Sequence, residues 1–242
     1  GIRGIYFQSF AVKMENVLII FLKYPEPGKV KTRLAKDIGD EKACAIYKLL
    51  AEGVIKNVAP KNLKTYDVHI FFTPADKENE IKDWLKSILD NEQAFHIQYS
   101  PQEGNSLGER MSHACKQTLH REDCKRCIII GTDCPEIDTT MIESTFDILE
   151  ENDIVIGPCK DGGYYLLGMS RPVPVSFEQG FVPDLFMDID WSTDRVFNQT
   201  MEKVRKNNLY CGVLKTLADI DTQEDLYRYK SITNPSSHQI RT

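Results

Sequence analysis

The sequence predicts a single α/β domain, and three features indicate this fold class. Two runs of strand length, Asn16–Leu22 and Ile128–Ile130, are apolar almost throughout, as is typical of strands that are buried on both faces of a sheet. Other strand-like runs alternate along the chain with amphipathic helical patterns. The length of 242 residues and the apolar content of 41% suit one domain with its own core.

The predicted elements of the first half follow from turn residues and hydrophobic spacing. Pro25–Gly28, directly after the first strand, contains two prolines and a glycine and is predicted as a loop, so that the helical pattern resumes only near Thr32. Residues 41–57 carry apolar residues at helical intervals and indicate a helix that packs on the sheet. The elements expected next are the strand Asp67–Thr73, the helix Glu78–Leu89, the strand Phe95–Tyr99 and a helix from Leu107.

The second half continues the alternation after the strand Ile128–Ile130. The proline-rich residues 171–184 interrupt it and are expected to run over the surface, where they could cover a site. Ser192 or Thr193 is the expected N-cap of the helix that follows. The elements expected here are the helix Met141–Leu149, the strands Asp153–Gly157 and Tyr164–Leu167, the helix Thr193–Asn207, the strand Tyr210–Leu214 and a helix that starts within residues 217–226.

The two ends of the chain are expected to lie outside the domain. The first ten residues contain YFQS, which resembles the scar of a protease-cleavable expression tag, so residues 1–13 are assigned to a tag remnant. Residues 14–230 form the predicted domain, and the polar residues 231–242 are expected to be a flexible tail.

Composition and charge narrow the functional classes. The formal net charge of −6 and the pI near 5.5 argue against a protein that covers nucleic acid. No apolar run approaches the ~20 residues of a transmembrane helix, and the start lacks the pattern of a signal peptide. Seven cysteines without a secretory signal are expected to be reduced thiols. We therefore expect a cytoplasmic protein without a membrane span or a nucleic-acid partner.

A carboxylate follows the buried strand Ile128–Ile130 at the point where open α/β sheets bind ligands. The chain turns through Gly131 and Thr132 and places Asp133 just beyond the end of the strand. A short side chain on a tight turn before Pro135 suits a metal ligand or a fixed hydrogen-bond acceptor. The alternative is that Asp133 only caps the helix that begins near Asp138 or closes the turn.

Basic residues surround the loop after the first strand. Lys23, Lys29, Lys31 and Arg33 lie on or beside it, and four cations at a strand-to-helix loop make a receptor for a diphosphate. The alternative is a solvated basic loop.

The segment that enters the helix at Leu107 offers a further candidate for a phosphate site. Gly104 would let the backbone approach a ligand. Arg110, in the first helical turn, could hold a phosphate or pair with Glu109 or Glu103.

Two further acidic turns are candidates for the same site. Asp161 is followed by Gly162 and Gly163, which let a ligand lie against the backbone, and by Tyr164, whose ring could stack on a sugar. A plain hairpin turn is the alternative. The segment LADIDTQEDL carries Asp221 beside a helix start, where it could bind a ligand or cap the helix.

Five segments in this order resemble one family. They are FLKYPEPGKVKTRLA, EGNSLGERM, IIIGTDCPEI, GPCKDGGYYLLGM and LADIDTQEDL, which span residues 16–227. They resemble the bacterial and archaeal glycosyltransferases that are related to nucleotide-diphospho-sugar transferases. The resemblance implies a Rossmann-like GT-A fold, with a mostly parallel central sheet, helices on both faces and the nucleotide at the carboxyl ends of the first strands.

The resemblance also implies the roles of the site residues. Asp133 would bind Mg²⁺ or Mn²⁺, and because G-T-D-C-P stands here in place of the usual D-x-D, either Asp161 or Asp221 would complete the metal site. Asp161 could instead act as a base or orient a sugar hydroxyl. The residues expected at the nucleotide and its phosphates are Lys23, Lys31, Arg33, Gly104 and Arg110. Those expected at the sugar or acceptor are Gly162, Gly163 and Tyr164.

The function expected from these observations is metal-dependent glycosyl transfer from a nucleoside diphosphate sugar to an acceptor of unknown class. One alternative is nucleotidyl transfer to a phosphorylated acceptor, because the chain more distantly resembles molybdenum-cofactor nucleotidyltransferases and phospholactate guanylyltransferases. Another is a non-catalytic protein that binds sugar nucleotides. A homo-oligomer is compatible with the sequence.

Overall fold

One sheet of seven strands runs through the part of the chain that the computed structural model describes, residues 15–61, 65–89, 97–171 and 184–233. The expected tag remnant, the excursion over residues 172–183 and residues 234–242 of the expected tail lie outside these ranges. The strands are β1 (Asn16–Lys23), β2 (Asp67–Thr73), β3 (Ile97–Pro101), β4 (Arg126–Ile130), β5 (Ile154–Pro158), β6 (Tyr164–Ser170) and β7 (Cys211–Val213).

Helices occupy most of the connections between these strands. Five of the seven α-helices in the described ranges lie in the part of the chain that ends at β5, and the last one reaches Thr233, three residues beyond the expected domain boundary. The helices are α1 (Thr32–Ile38), α2 (Asp40–Asn57), α3 (Glu78–Ile88), α4 (Leu107–Leu119), α5 (Thr139–Ile148), α6 (Val196–Lys206) and α7 (Gln223–Thr233). None of them is long and apolar enough to cross a membrane.

The order of the strands is β3-β2-β1-β4-β6-β5-β7. β1 pairs in parallel with both β2 and β4, and β6 is antiparallel to its neighbours β4 and β5. After β1 the chain adds β2 and β3 on one side of β1, and it then crosses to the other side of β1, where β4 lies. At such a switch point the loops after the two central strands separate and leave a crevice at their carboxyl ends. The prediction of a mostly parallel α/β sheet is confirmed.

The two faces of the sheet carry separate apolar cores. In β1, Leu18 and Ile20 join a core that includes side chains of α2, α3 and α5, whereas Val17 and Ile19 join a core with α4 and α6. This division follows from the two-residue repeat of a strand. Burial of each such side chain contributes about 1.5–3 kcal/mol. Helices therefore cover both faces, as the family resemblance implied.

Several element boundaries differ from the expectation, and the start of α6 differs for a local reason. α6 begins at Val196 and not at Thr193. Ser192 adopts the left-handed conformation, with φ of 65°, and the Thr193 hydroxyl donates to the carbonyl of Asp190 at 2.7 Å, so both residues form a turn that precedes the helix. β3 extends to Pro101, two residues beyond the predicted end.

Candidate functional site

A buried lysine lies between two carboxylates at the crevice. Nζ of Lys31 is 2.6 Å from Oδ1 of Asp133 and 2.7 Å from Oδ1 of Asp221. The lysine side chain is 3% exposed, while the side chains of Asp133 and Asp221 are 46% and 33% exposed. The basic loop after β1, the turn after β4 and the segment before α7 therefore meet at one ammonium group.

The environment of Lys31 keeps it charged. Burial by itself lowers the pKa of the lysine, but Asp133 and Asp221 outweigh this effect, and the pKa is raised above its usual value. The backbone of Lys31 is left-handed, with φ of 47° and ψ of 44°, directly before α1. Such a conformation is uncommon for a residue with a side chain and is found where the surroundings require it.

The turn after β4 leaves the carboxylate of Asp133 available for this contact. The N-cap of α5 is Asp138, whose Oδ1 accepts a hydrogen bond from the backbone N–H of Met141 at 2.8 Å. The alternative that Asp133 serves only to cap this helix is therefore wrong. The carbonyl of Asp133 accepts from the N–H of Ile220 at 3.1 Å, which fixes the turn against the segment that carries Asp221.

That segment, residues 217–221, runs between two turns of the site. Leu217 forms a parallel bridge with Cys159 and donates its N–H to the carbonyl of Pro158 at 3.0 Å. Asp219 lines the cleft, and Asp221, two residues farther along the chain, contacts Lys31. The list of expected site residues omitted Asp219, although the spacing in A-D-I-D was the signal that could have found it.

A second group of donor atoms lies beside the lysine. The ligand atoms of Cys159, Asp161 and Asp219 are within 4.8 Å of one another. They line a cleft together with Asp133 and Gly163. Oδ1 of Asp161 accepts from the N–H of Gly163 at 2.9 Å, so Asp161 stabilises the turn before β6 and also lines the cleft; its role at a ligand stays a prediction.

Asp219 has a strongly perturbed carboxyl group. Its burial, and next the neighbouring charges of Asp161 and Asp221, raise its pKa to about 6. Lys31 acts in the opposite direction but does not cancel these effects. A carboxyl group that titrates near pH 6 inside a cleft is suited to proton transfer.

This shift predicts a pH-dependent stability that Asp219→Asn should remove. Because the folded protein holds the proton more tightly than the unfolded chain, the contribution of Asp219 is fully present below about pH 4 and is lost as the pH rises through about 6. In EDTA, the variant should therefore exceed the original protein in free energy of unfolding above pH 6, by roughly 1–2 kcal/mol after allowance for solvent screening. Urea unfolding at pH 4 and pH 7.5 measures this, and an equal gain at both values would contradict it.

A tyrosine that the sequence did not single out fixes the end of β1. The hydroxyl of Tyr47 in α2 donates to the carbonyl of Lys23 at 3.0 Å and accepts from its N–H at 2.8 Å. Burial raises the pKa of Tyr47, and the hydroxyl also lies close to Thr132 and Asp133. Its helical spacing is that of an ordinary core residue, so the pattern gave no signal of this role.

The other cations of the basic loop stay open to solvent. The side chain of Arg33 is 66% exposed, and its Nη1 is 3.8 Å from Oδ2 of Asp221. Lys23 is exposed at the carboxyl end of β1. Both can turn toward an anion that enters the crevice, whereas Lys31 is already engaged.

Gly104 and Arg110 contact each other before α4. Nε of Arg110 donates to the carbonyl of Gly104 at 2.9 Å. Gly104 has φ of 130°, and a Cβ atom there would lie 2.7 Å from Cβ of Glu109. Within the described ranges, neither residue forms a hydrogen bond or an ion pair with Lys31 or Asp133. Their role at a phosphate stays a prediction.

The residues expected at the sugar or acceptor differ in their surroundings. Gly163 and Tyr164 line the cleft beside Asp133. The ring of Tyr164 packs edge-on against Trp191 at 6.3 Å between centroids, and burial raises the pKa of its hydroxyl. Gly162, with φ of 88°, instead packs closely on the backbone of Asp194.

Comparison with known proteins places the chain in a bacterial family. A family model described as an uncharacterized protein conserved in bacteria (DUF2064) matches residues 58–193. A protein from Desulfovibrio desulfuricans G20, assigned provisionally as a nucleotide-diphospho-sugar transferase, is 32% identical; the alignment covers 95% of this chain and 91% of that one, with a TM-score of 0.78. No curated protein matches.

More distant structures share the fold. A 4-diphosphocytidyl-2C-methyl-D-erythritol synthase from Anaerococcus prevotii DSM 20548 is 12% identical with a TM-score of 0.54, over 92% of this chain and 99% of that one. A cytidylyltransferase from Leptospira borgpetersenii serovar Hardjo-bovis is also 12% identical with a TM-score of 0.53, over 95% and 98% of the two chains. At this identity the similarity concerns the architecture alone.

Proposed function

This chain belongs to the bacterial protein family DUF2064, and we propose that it is a metal-dependent glycosyltransferase with a nucleoside diphosphate sugar as donor. Its resemblance to nucleotide-diphospho-sugar transferases is confirmed by the Desulfovibrio structure. The observation that carries this proposal is the contact of Lys31 with both Asp133 and Asp221 at the switch point of the sheet. Cations for a diphosphate and carboxylates for a metal ion then share one crevice.

The basic loop supplies the groups that bind the diphosphate. The exposed guanidinium of Arg33 can form paired hydrogen bonds with phosphate oxygens, and Lys23 lies at the end of β1, where the basic loop begins. Lys31 lies deepest and can reach the phosphate that is nearest to the carboxylates. These residues bind the donor and stabilise the negative charge that develops on the leaving nucleoside diphosphate.

The carboxylates beside Lys31 fit a divalent cation. Oxygen ligands from aspartate are those that Mg²⁺ and Mn²⁺ prefer. Asp133 and Asp221 each place an oxygen within 2.7 Å of the same nitrogen atom, so the two carboxylates already share one cation. We therefore assign Asp221, and not Asp161, as the residue that completes the metal site with Asp133. When bound, the cation would stabilise negative charge on the diphosphate.

The remaining acidic residues suit the sugar and acceptor side of the cleft. Asp161 and Asp219 lie together and line the cleft with Gly163 and Tyr164. With its pKa near 6, Asp219 is ionised at neutral pH and can still accept a proton from an acceptor hydroxyl. Asp161, held by the N–H of Gly163, can orient a sugar hydroxyl.

A thermal-shift screen tests this function, with nucleoside diphosphates, triphosphates and diphosphate sugars, each with and without Mn²⁺. A true donor at 100 times its Kd should stabilise the fold by about 2.7 kcal/mol, and this should require the metal ion. Turnover is then followed as nucleoside diphosphate released in the presence of an acceptor panel. Absence of stabilisation by every diphosphate sugar would contradict the proposal.

The same screen separates the alternatives. Pyrophosphate release from a nucleoside triphosphate with a phosphorylated acceptor would favour nucleotidyl transfer. Stabilisation by a sugar nucleotide without turnover over the whole acceptor panel would favour a binding protein.

A further inference from the structure

Lys31 contacts the two carboxylates that the proposed function assigns to a metal ion. Its Nζ contacts one oxygen of Asp133 and one of Asp221, which are the two carboxylates assigned above to the cation. A Mg²⁺ or Mn²⁺ ion would take the same two carboxylates as ligands. The ammonium group and the divalent ion would then stand close together without an anion between them.

Resting on the proposed function, we propose that Lys31 is a built-in counter-cation that keeps the Asp133–Asp221 pair closed to free metal until a diphosphate draws its ammonium group away. Metal binding and diphosphate binding would thereby be coupled. The protein would take up the cation together with its anionic ligand and would hold little metal without it.

The burial of Lys31 gives this competition its strength. A charge pair that is screened by water contributes little, but the Lys31 side chain is only 3% exposed, and its interaction with two carboxylates is correspondingly stronger. A metal ion that enters alone must displace the ammonium group from both carboxylates, and no diphosphate is then present to receive it. The displaced charge would be left partly buried, which costs free energy.

A diphosphate removes this obstacle. Asp133 and Asp221 are 46% and 33% exposed, so phosphate oxygens can approach the pair from the solvent side. Lysine has a flexible stem and a point charge, so its ammonium group can move from carboxylate to phosphate over a short distance. The vacated carboxylates would then be free to hold the metal ion, and the diphosphate would supply negative charge to both cations.

Arg33 provides the comparison for the specific role of Lys31. It belongs to the same loop and carries the same charge, but it is 66% exposed and lies 3.8 Å from Asp221 without contacting Asp133. If positive charge near the site affected metal binding only in a general way, Lys31 and Arg33 would lower the metal affinity to a similar extent. A blocking role requires contact with both carboxylates and is expected of Lys31 alone.

The test measures Mn²⁺ affinity in the absence of nucleotide by the loss of the free-ion EPR signal. Lys31→Met should bind Mn²⁺ about 10–100-fold more tightly than the original protein, within the usual range of coupling between sites. Lys31→Arg should retain weak binding because it keeps the charge, and Arg33→Met should change the affinity by less than about threefold. Pyrophosphate should raise the Mn²⁺ affinity of the original protein more than that of Lys31→Met.

Unchanged or weaker Mn²⁺ binding by Lys31→Met would overturn the proposal and would indicate a purely structural ion pair. Circular dichroism checks the fold, and Lys31→Gln, whose amide can still donate to one carboxylate, serves as a second neutral variant if the methionine variant does not fold. This failure is distinct from failure of the proposed function. If the proposed function failed, no diphosphate sugar would bind. If only the role of Lys31 failed, donor binding would persist and Lys31→Met would not change the affinity for Mn²⁺ as expected.

Discussion

Asp133→Asn is expected to lower the affinity for a nucleoside diphosphate sugar in the presence of Mn²⁺ by about 100-fold or more, since a metal bridge to phosphate contributes several kcal/mol and each 1.4 kcal/mol is a factor of ten. The amide lacks the charge that attracts the cation but has nearly the same shape. Isothermal titration with the donor identified by the thermal screen, with and without Mn²⁺, measures the change. Without metal the variant should bind the donor at least as tightly as the original protein, because it lacks one carboxylate that competes for Lys31.

Asp138→Asn is the matched control for this variant. Asp138 lies five residues farther along the same connection, but its carboxylate caps α5 through the N–H of Met141. Asparagine caps helices about as well as aspartate, so donor affinity and stability should change little. An equal loss of metal-dependent binding in both variants, or no loss in Asp133→Asn, would remove Asp133 from the metal site.

Gly162→Ala is expected to destabilise the fold by roughly 2–4 kcal/mol, through the cost of a left-handed residue and a collision with backbone. Gly162 has φ of 88°, and a Cβ atom there would meet the backbone of Asp194 well inside van der Waals contact. Its carbonyl also accepts from the N–H of Phe197 at 2.8 Å at the start of α6, so the glycine cannot shift alone. Urea unfolding gives the change in free energy.

Gly163→Ala is the control for the neighbouring position. The nearest atom to an added Cβ there is Oδ1 of Asp161 at 3.2 Å, which belongs to a side chain that can move. A loss below about 1 kcal/mol is expected, as for most substitutions without a backbone collision. If the two variants were equally stable, the close packing of Gly162 on Asp194 would not be what holds this turn.

Much of the fold could be predicted because its signals are local. Apolar runs such as Asn16–Leu22 indicate buried strands, and the prolines of Pro25–Gly28 indicate a loop whatever the tertiary contacts of these segments are. The insertion of β6 between β4 and β5, antiparallel to both, depends on contacts between distant segments. The residue pattern of β6 does not indicate its place or its direction in the sheet.

The site was predictable to a similar extent. Lys31, Asp133 and Asp221 were each recognised on a loop at the carboxyl end of a strand or beside a helix start, and the structure brings all three together. Their direct contact was not expected, because Lys31 and Asp221 are 190 positions apart in the sequence. The charge of a lysine does not indicate which of the acidic residues it will contact. Tyr47 was missed because a tyrosine at helical spacing looks like any core residue.

A crystal grown with Mn²⁺ and pyrophosphate and measured at the manganese absorption edge would test most directly that one crevice holds both the cation and the diphosphate. We predict an anomalous peak within about 2.3 Å of carboxylate oxygens of Asp133 and Asp221, with phosphate oxygens against Lys31 and Arg33. A manganese peak away from Asp133, or a diphosphate bound elsewhere on the molecule, would contradict the proposed transferase site.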